Sequence, residues 1–201
     1  MLITKIFKVE SSHRVVNCSS DRCKYSLHGH SAVIEITLDC KKPDNGGMGY
    51  DFGLMKGTIK DFIDSMDHCN LFYIYDDPKY IKFITEFNQR WISLPVSPSA
   101  EFISAFIFKA CDYIINHTKM NNGEGDVKVH SVKYHETSTG SATCFREDLD
   151  DWANYDVVNQ CNVVFSSGVV SDWGKDLYDI WFNHVESVAN PVAKQQVKKN
   201  W

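Results

Sequence analysis

The 201-residue sequence has no long apolar run, no internal repeat, no low-complexity stretch and no excess of basic charge. Each absence excludes something. Without a run of about 20 apolar residues there is no candidate transmembrane helix, so no membrane partner is expected. The 21 Lys and Arg are outnumbered by 26 Asp and Glu, for a net charge of −5. That balance lacks the basic footprint of a nucleic-acid binder, and the short Lys194, Lys198, Lys199 cluster does not supply one. The opening MLITKIFKVE alternates apolar and polar residues, unlike a secretory leader, so a cytoplasmic protein is expected. Seven cysteines at irregular spacing are an odd number, which favours reduced thiols over a disulfide framework.

What is present fits one globular domain, or one domain with an appendage, with 43% hydrophobic residues to build a core. Over 2–12, Ile3, Phe7 and Val9 share one face, the pattern of a half-buried strand. SAVIEITL at 31–38 alternates in the same way, with Ala32, Ile34, Ile36 and Leu38 aligned. After the turn cluster KPDNGG, the spacing of Met55, Ile59, Phe62, Ile63 and Met66 predicts a helix over 53–66. The 69–97 stretch reads as a short helix around 78–88 followed by an extended piece through 91–94. Ser97 as N-cap and Pro98 at the first helical position predict a helix running to about 117, with Glu101 as a first-turn charge. Strands are expected over 126–137 and 141–147. The order gives an α+β domain, an antiparallel four-stranded sheet with two helices on one face, ending near 148. Residues 149–201 read as a C-terminal extension whose helix runs from Leu177 through His184, Val185 and Val188 to a stop before Pro191.

The sharpest local feature is His28-Gly29-His30, directly before the SAVIEITL strand. Residues two apart on a strand face the same side, about 6–7 Å apart, so two imidazoles can converge on one ion. A catalytic zinc needs three protein ligands and an open position. His13, at the end of the first strand, is the candidate third ligand. Alone, the pair is also compatible with chance placement on a loop; His117, His130 and His184 are assigned no role.

Six segments in order, SSHRVVN (11–17), CKYSLHGHS (23–31), GMGYDFGLMK (47–56), MDHCNLF (66–72), PSAEF (98–102) and VKYHETSTGSATCFRE (132–147), resemble the 6-pyruvoyl- and 6-carboxy-tetrahydropterin synthases. The resemblance covers about 1–148 and implies the tunnelling fold, a homo-oligomeric barrel (commonly a hexamer built as a dimer of trimers) with active sites between subunits. It implies His13, His28 and His30 as Zn2+ ligands, Cys23 as catalytic cysteine and Asp67–His68 as the partner pair. Glu136 is implied as the anchor of the pterin ring, and Ser99 as a polar ring contact. Other readings stay open: Cys18 rivals Cys23, and Asp67–His68 could cap a helix C-terminus, where a cationic His is favourable. The substrate implied is 7,8-dihydroneopterin triphosphate. The product is expected to be 6-carboxy-tetrahydropterin, on the queuosine route. Four residues separate Cys23 from His28, between the shorter carboxy-type and longer pyruvoyl-type spacing, but the LHGHS wording is closer to the carboxy type. The 69–97 segment is longer than in compact relatives.

Overall fold

The computed structural model describes residues 1–16, 18–151, 162–185 and 188–189. In chain order it contains β1 (Leu2–His13), α1 (Asp21–Tyr25), β2 (His28–Cys40), a 3-10 turn (Leu54–Lys56), α2 (Thr58–Asp64), β3 (Cys69–Tyr73), α3 (Pro78–Phe87) and β4 (Trp91–Leu94). There follow α4 (Ala100–Asn116), β5 (Thr118–Lys119), β6 (Val127–His135), β7 (Ser141–Phe145), α5 (Arg146–Asp151), β8 (Val164–Phe165), α6 (Ser167–Val170), α7 (Lys175–Phe182) and β9 (Val188–Ala189).

The expected antiparallel unit is there: β7, β6, β2 and β1 lie side by side, each antiparallel to its neighbour. It is not the whole sheet. The order continues β1-β3-β4-β8, and β3 and β4 run parallel, so the sheet has seven strands and is mixed. This corrects the four-stranded expectation. The cause lies in β3, whose first four residues, Cys69 to Phe72, are all buried. A strand covered on both faces shows a continuous apolar run instead of alternation, and short runs of that kind do not declare their period.

Three helices also differ from expectation. The expected 53–66 helix is broken at Gly57, whose φ −88°, ψ −121° leaves the helical region, giving a 3-10 turn and then α2. The long helix begins at Ala100, and its N-cap is Ser99, not Ser97; the Ser99 hydroxyl accepts from the Phe102 amide. The last helix ends at Phe182, because His184 takes a left-handed φ of 51°. The stop expected before Pro191 lies outside the described residues.

The core sits between the sheet and the helices. Phe7 and Val9 of β1 and Ala32, Ile34, Ile36 and Leu38 of β2 meet Ile103, Phe106, Ile107 and Ala110 of α4 and Phe62 and Ile63 of α2. On the opposite face, Leu2 and Ile6 of β1 are exposed. The 162–182 stretch shares the same core: β8 pairs with β4, and Trp173, Leu177 and Trp181 are buried. The Trp181 ring stacks on Phe62 at 6.1 Å and contacts Phe165 and Trp173 at 5.3 and 5.7 Å. No helix among the described residues is long and apolar enough to cross a membrane.

Removing a buried Trp leaves a cavity the surroundings fill only in part. Trp181→Ala should therefore cost about 3–5 kcal/mol in urea unfolding. A loss below about 1 kcal/mol would mean that the C-terminal stretch is not integral to the core.

Candidate functional site

The histidines belong to the register of β1 and β2. In that ladder Val9 faces Ala32, Ser11 faces His30, and His13 faces His28. His28 and His30 prolong the side of β2 that carries Ala32, Ile34 and Ile36, and His13 prolongs the Phe7–Val9 side of β1. The triad is thus the polar end of the core face. Gly29 lets the strands close here, since a Cβ on it would lie 3.1 Å from the Ser11 carbonyl oxygen.

The three rings converge. Centroids are 4.7, 5.1 and 5.0 Å apart, and one nitrogen from each falls within 4.8 Å of the others. Two rings are oriented from outside: His13 Nδ1 bonds the Pro98 carbonyl at 2.7 Å and His28 Nδ1 bonds the Ser26 carbonyl at 3.0 Å. A carbonyl only accepts, so each Nδ1 carries the proton and each Nε2 presents a lone pair, the usual outer support of a metal-bound histidine. Burial pushes the His13 pKa down to about 4, against the pull of the Pro98 bond and with help from His28 and His30. Burial also lowers His30, opposed by Glu136.

The Nε2 atoms of His13 and His30 are buried and, among the described residues, lack a hydrogen-bond partner. Glu136 Oε1 stands 3.4 Å from the first and 3.7 Å from the second. At His13, whose Nδ1–H is given to the Pro98 carbonyl, the carboxylate faces an imidazole lone pair, a repulsive contact that a cation between them relieves. The donor set fits a zinc ion: three converging imidazoles, with the Glu136 carboxylate beside two of them.

Asp67 and His68 are joined by a hydrogen bond, His68 Nδ1 lying 2.8 Å from Asp67 Oδ2. The pair is docked on β1, because Asp67 Oδ1 accepts from the Glu10 amide at 2.7 Å and the His68 amide donates to the Glu10 carbonyl. Burial works against the ionised Asp67, but the bonds from Glu10 and His68 outweigh it and hold its pKa below the ordinary carboxylate value. His68 has φ 55°, a left-handed conformation that non-glycine residues rarely adopt. Arg90 braces the turn by donating to the Ser65 and Asp67 carbonyls. A cleft of about 360 Å3 is lined by both His30 and His68, together with Glu10, Ser12 and Ser31. One metal-ligand candidate, His30, and His68 therefore open onto common space.

Cys23 is half-buried on α1, five residues before His28, with its carbonyl accepting from the Val15 amide. Its thiol is not joined to the histidines or to His68 by a hydrogen bond among the described residues. Ser99 caps α4, and its predecessor Pro98 is the residue that orients His13. The Pro98 carbonyl, the Glu10 backbone and Arg90 were not legible as site residues, because backbone contacts leave no signature in side-chain wording.

A family model described as 6-pyruvoyl tetrahydropterin synthase matches residues 2–147. A 6-carboxy-5,6,7,8-tetrahydropterin synthase of Helicobacter pylori strain J99 is 35% identical over 179 residues, covering 89% of this chain and 90% of the relative. That alignment is longer than the 148-residue region carrying the motifs, so part of the C-terminal stretch is shared. The Aquifex aeolicus protein of the same name is 28% identical over 70% of this chain and 94% of its own. Among solved structures, an uncharacterised protein from Wolinella succinogenes superposes with a TM-score of 0.59 at 20% identity, covering 73% of this chain and 98% of that one. The 6-pyruvoyl tetrahydropterin synthase of Plasmodium vivax gives 0.52 at 16% identity, over 73% and 98%. The chain belongs to the 6-pyruvoyl tetrahydropterin synthase family.

The depressed His13 pKa has a sign. The unfolded chain takes up this proton near pH 6.5 and the folded chain only near 4, so the stability that neutral His13 contributes is complete above about 6.5 and is lost as pH falls towards 4. Metal-free protein should lose denaturant resistance between about pH 7 and pH 5, and His13→Gln should flatten that dependence. Equal slopes for the two would contradict a buried neutral His13.

Proposed function

We propose that this protein is a zinc-dependent 6-carboxy-5,6,7,8-tetrahydropterin synthase. It would convert 7,8-dihydroneopterin triphosphate and water to 6-carboxy-tetrahydropterin, acetaldehyde and triphosphate, on the route to queuosine. The observation that carries this reading is the convergence of three imidazoles with two buried, unpartnered Nε2 atoms. The names of the Helicobacter and Aquifex relatives support the carboxy product.

In this reading His13, His28 and His30 hold the zinc. The ion would supply Lewis-acid polarisation of the substrate's side-chain oxygens. Cys23 is the base that takes a proton from the side-chain carbon beside the ring. Asp67 fixes the His68 tautomer by accepting from Nδ1–H, which leaves Nε2 to take or return a proton at the substrate oxygen. The Glu136 carboxylate accepts two hydrogen bonds from the amino-pyrimidine edge of the pterin, and Ser99 adds a polar contact to the ring. The His68 side chain is 76% exposed, which suits a site completed by a neighbouring subunit. The exposed Leu2 and Ile6 support the same assembly, a homo-oligomeric barrel closed by that sheet face. The six described cysteines are all free, consistent with a reducing cytoplasm.

Incubation with 7,8-dihydroneopterin triphosphate, with products identified by mass, tests the proposal. The expected products are 6-carboxy-tetrahydropterin and acetaldehyde. A product that keeps the three-carbon side chain would make this a pyruvoyl-type synthase, and no turnover would favour a pterin- or zinc-binding module. Cys23→Ala should lower kcat by about 100-fold or more while Cys18→Ala stays near parental, in line with the contribution of a positioned acid–base group. The reverse result would assign the base to Cys18.

A further inference from the structure

The 69–98 segment surrounds the end of β1 that carries His13. Asn70 of β3 donates from Nδ2 to the Ser12 carbonyl at 3.3 Å and the Ser12 hydroxyl at 3.0 Å. On the other side of His13, Arg14 makes a two-point contact with Asp76: Nε donates to Oδ2 at 3.2 Å and Nη2 pairs with Oδ1. The Arg14 guanidinium also lies 4.2 Å from the centroid of the Tyr80 ring on α3. Two residues further on, the Val16 amide donates to the Ser97 hydroxyl at 3.0 Å. His13 itself reaches the Pro98 carbonyl. Four successive anchors in the segment thus hold residues 12, 13, 14 and 16.

The Asp76 side chain is only 2% exposed and that of Arg14 17%. A buried ion pair gives up hydration on both groups, and apolar residues of similar volume often stabilise a fold as well or better. What the pair provides that apolar packing does not is direction: a planar fork bound at two points fixes the position and rotation of the chain that bears it. The chain so fixed leads out of His13, whose ring must meet His28 and His30 to within a few tenths of an ångström for a metal to be shared.

We propose that Arg14 and Asp76 form a positioning clamp for the metal site, and that the long 69–98 segment serves to hold His13 in register with His28 and His30. Neither residue touches the metal-ligand nitrogens; both act through the β1 terminus. The proposal rests on the three-histidine metal reading.

The test uses full-length protein and two clamp variants. Asp76→Asn removes the charge at constant volume, and Arg14→Met/Asp76→Leu removes both charges so that no ion is left buried alone. Zinc affinity is measured by competition with a chromophoric chelator, and the visible spectrum of the cobalt-loaded protein reports ligand geometry at saturating metal. Arg146→Met, which breaks the Arg146–Asp112 pair away from the triad, is the control for a general loss of stability. Both clamp variants should bind zinc about 10-fold or more weakly and shift the cobalt bands, whereas Arg146→Met should do neither. A folded double variant with parental zinc affinity and cobalt spectrum would overturn the clamp alone. Parental protein that takes up neither ion would overturn the metal reading, and the clamp with it.

Discussion

The antiparallel register of β1 against β2 is the constraint on which the rest depends. Because side chains alternate, a slip of one residue would move Phe7, Val9 and His13 to the open face. The same slip would uncover the core and dismantle the triad. The pairing of Val9 with Ala32 and of His13 with His28 are parts of one ladder, so the apolar packing that stabilises the fold also sets the ring positions. Function is coupled to stability here through geometry, not through any special strength of the site.

The remaining elements act as supports for that ladder. α4 packs on the core face and its approach, through Pro98, orients His13. The turn after α2 lays Asp67 and His68 against Glu10, and Arg90 ties that turn to the C-terminal stretch through the Gly168 carbonyl and Asp172. His68 is held in a left-handed conformation by bonds on both of its sides. Such strain persists only where the surroundings over-determine it, and it brings the imidazole to the cleft shared with His30.

Much of this was legible in the sequence. Alternation in 2–12 and 31–38 identified the two central strands, and HxH beside a third histidine identified the candidate ligands, because strand period converts spacing directly into side. In the sheet's second half only the extended piece at 91–94 was legible, as β4; β3, β8 and the pairing were hidden. β3 and β4 are short and largely buried on both faces, so Asn70-Leu71-Phe72 carries no alternation to read, and the two-residue β8 is too short to show one. The cap of α4 was misplaced by two residues, since Ser97 and Ser99 offer the same chemistry and only the chain path separates them. Residues 149–201 looked like an appendage, yet Trp173, Leu177 and Trp181 bury against α2 and β8. The helical spacing of Leu177, Ile180 and Trp181 announced an apolar face but not the surface that receives it, and Trp173, before the helix, gave no signal.

On the reading proposed above, the β1–β2 ladder builds a three-histidine zinc site. The most direct test is the metal content of purified protein and of His28→Ala/His30→Ala, measured by elemental analysis after dialysis. About one zinc per chain is expected in the parent and almost none in the double variant, because a single remaining imidazole cannot hold the ion against solvent. Full zinc occupancy in the double variant would contradict that reading.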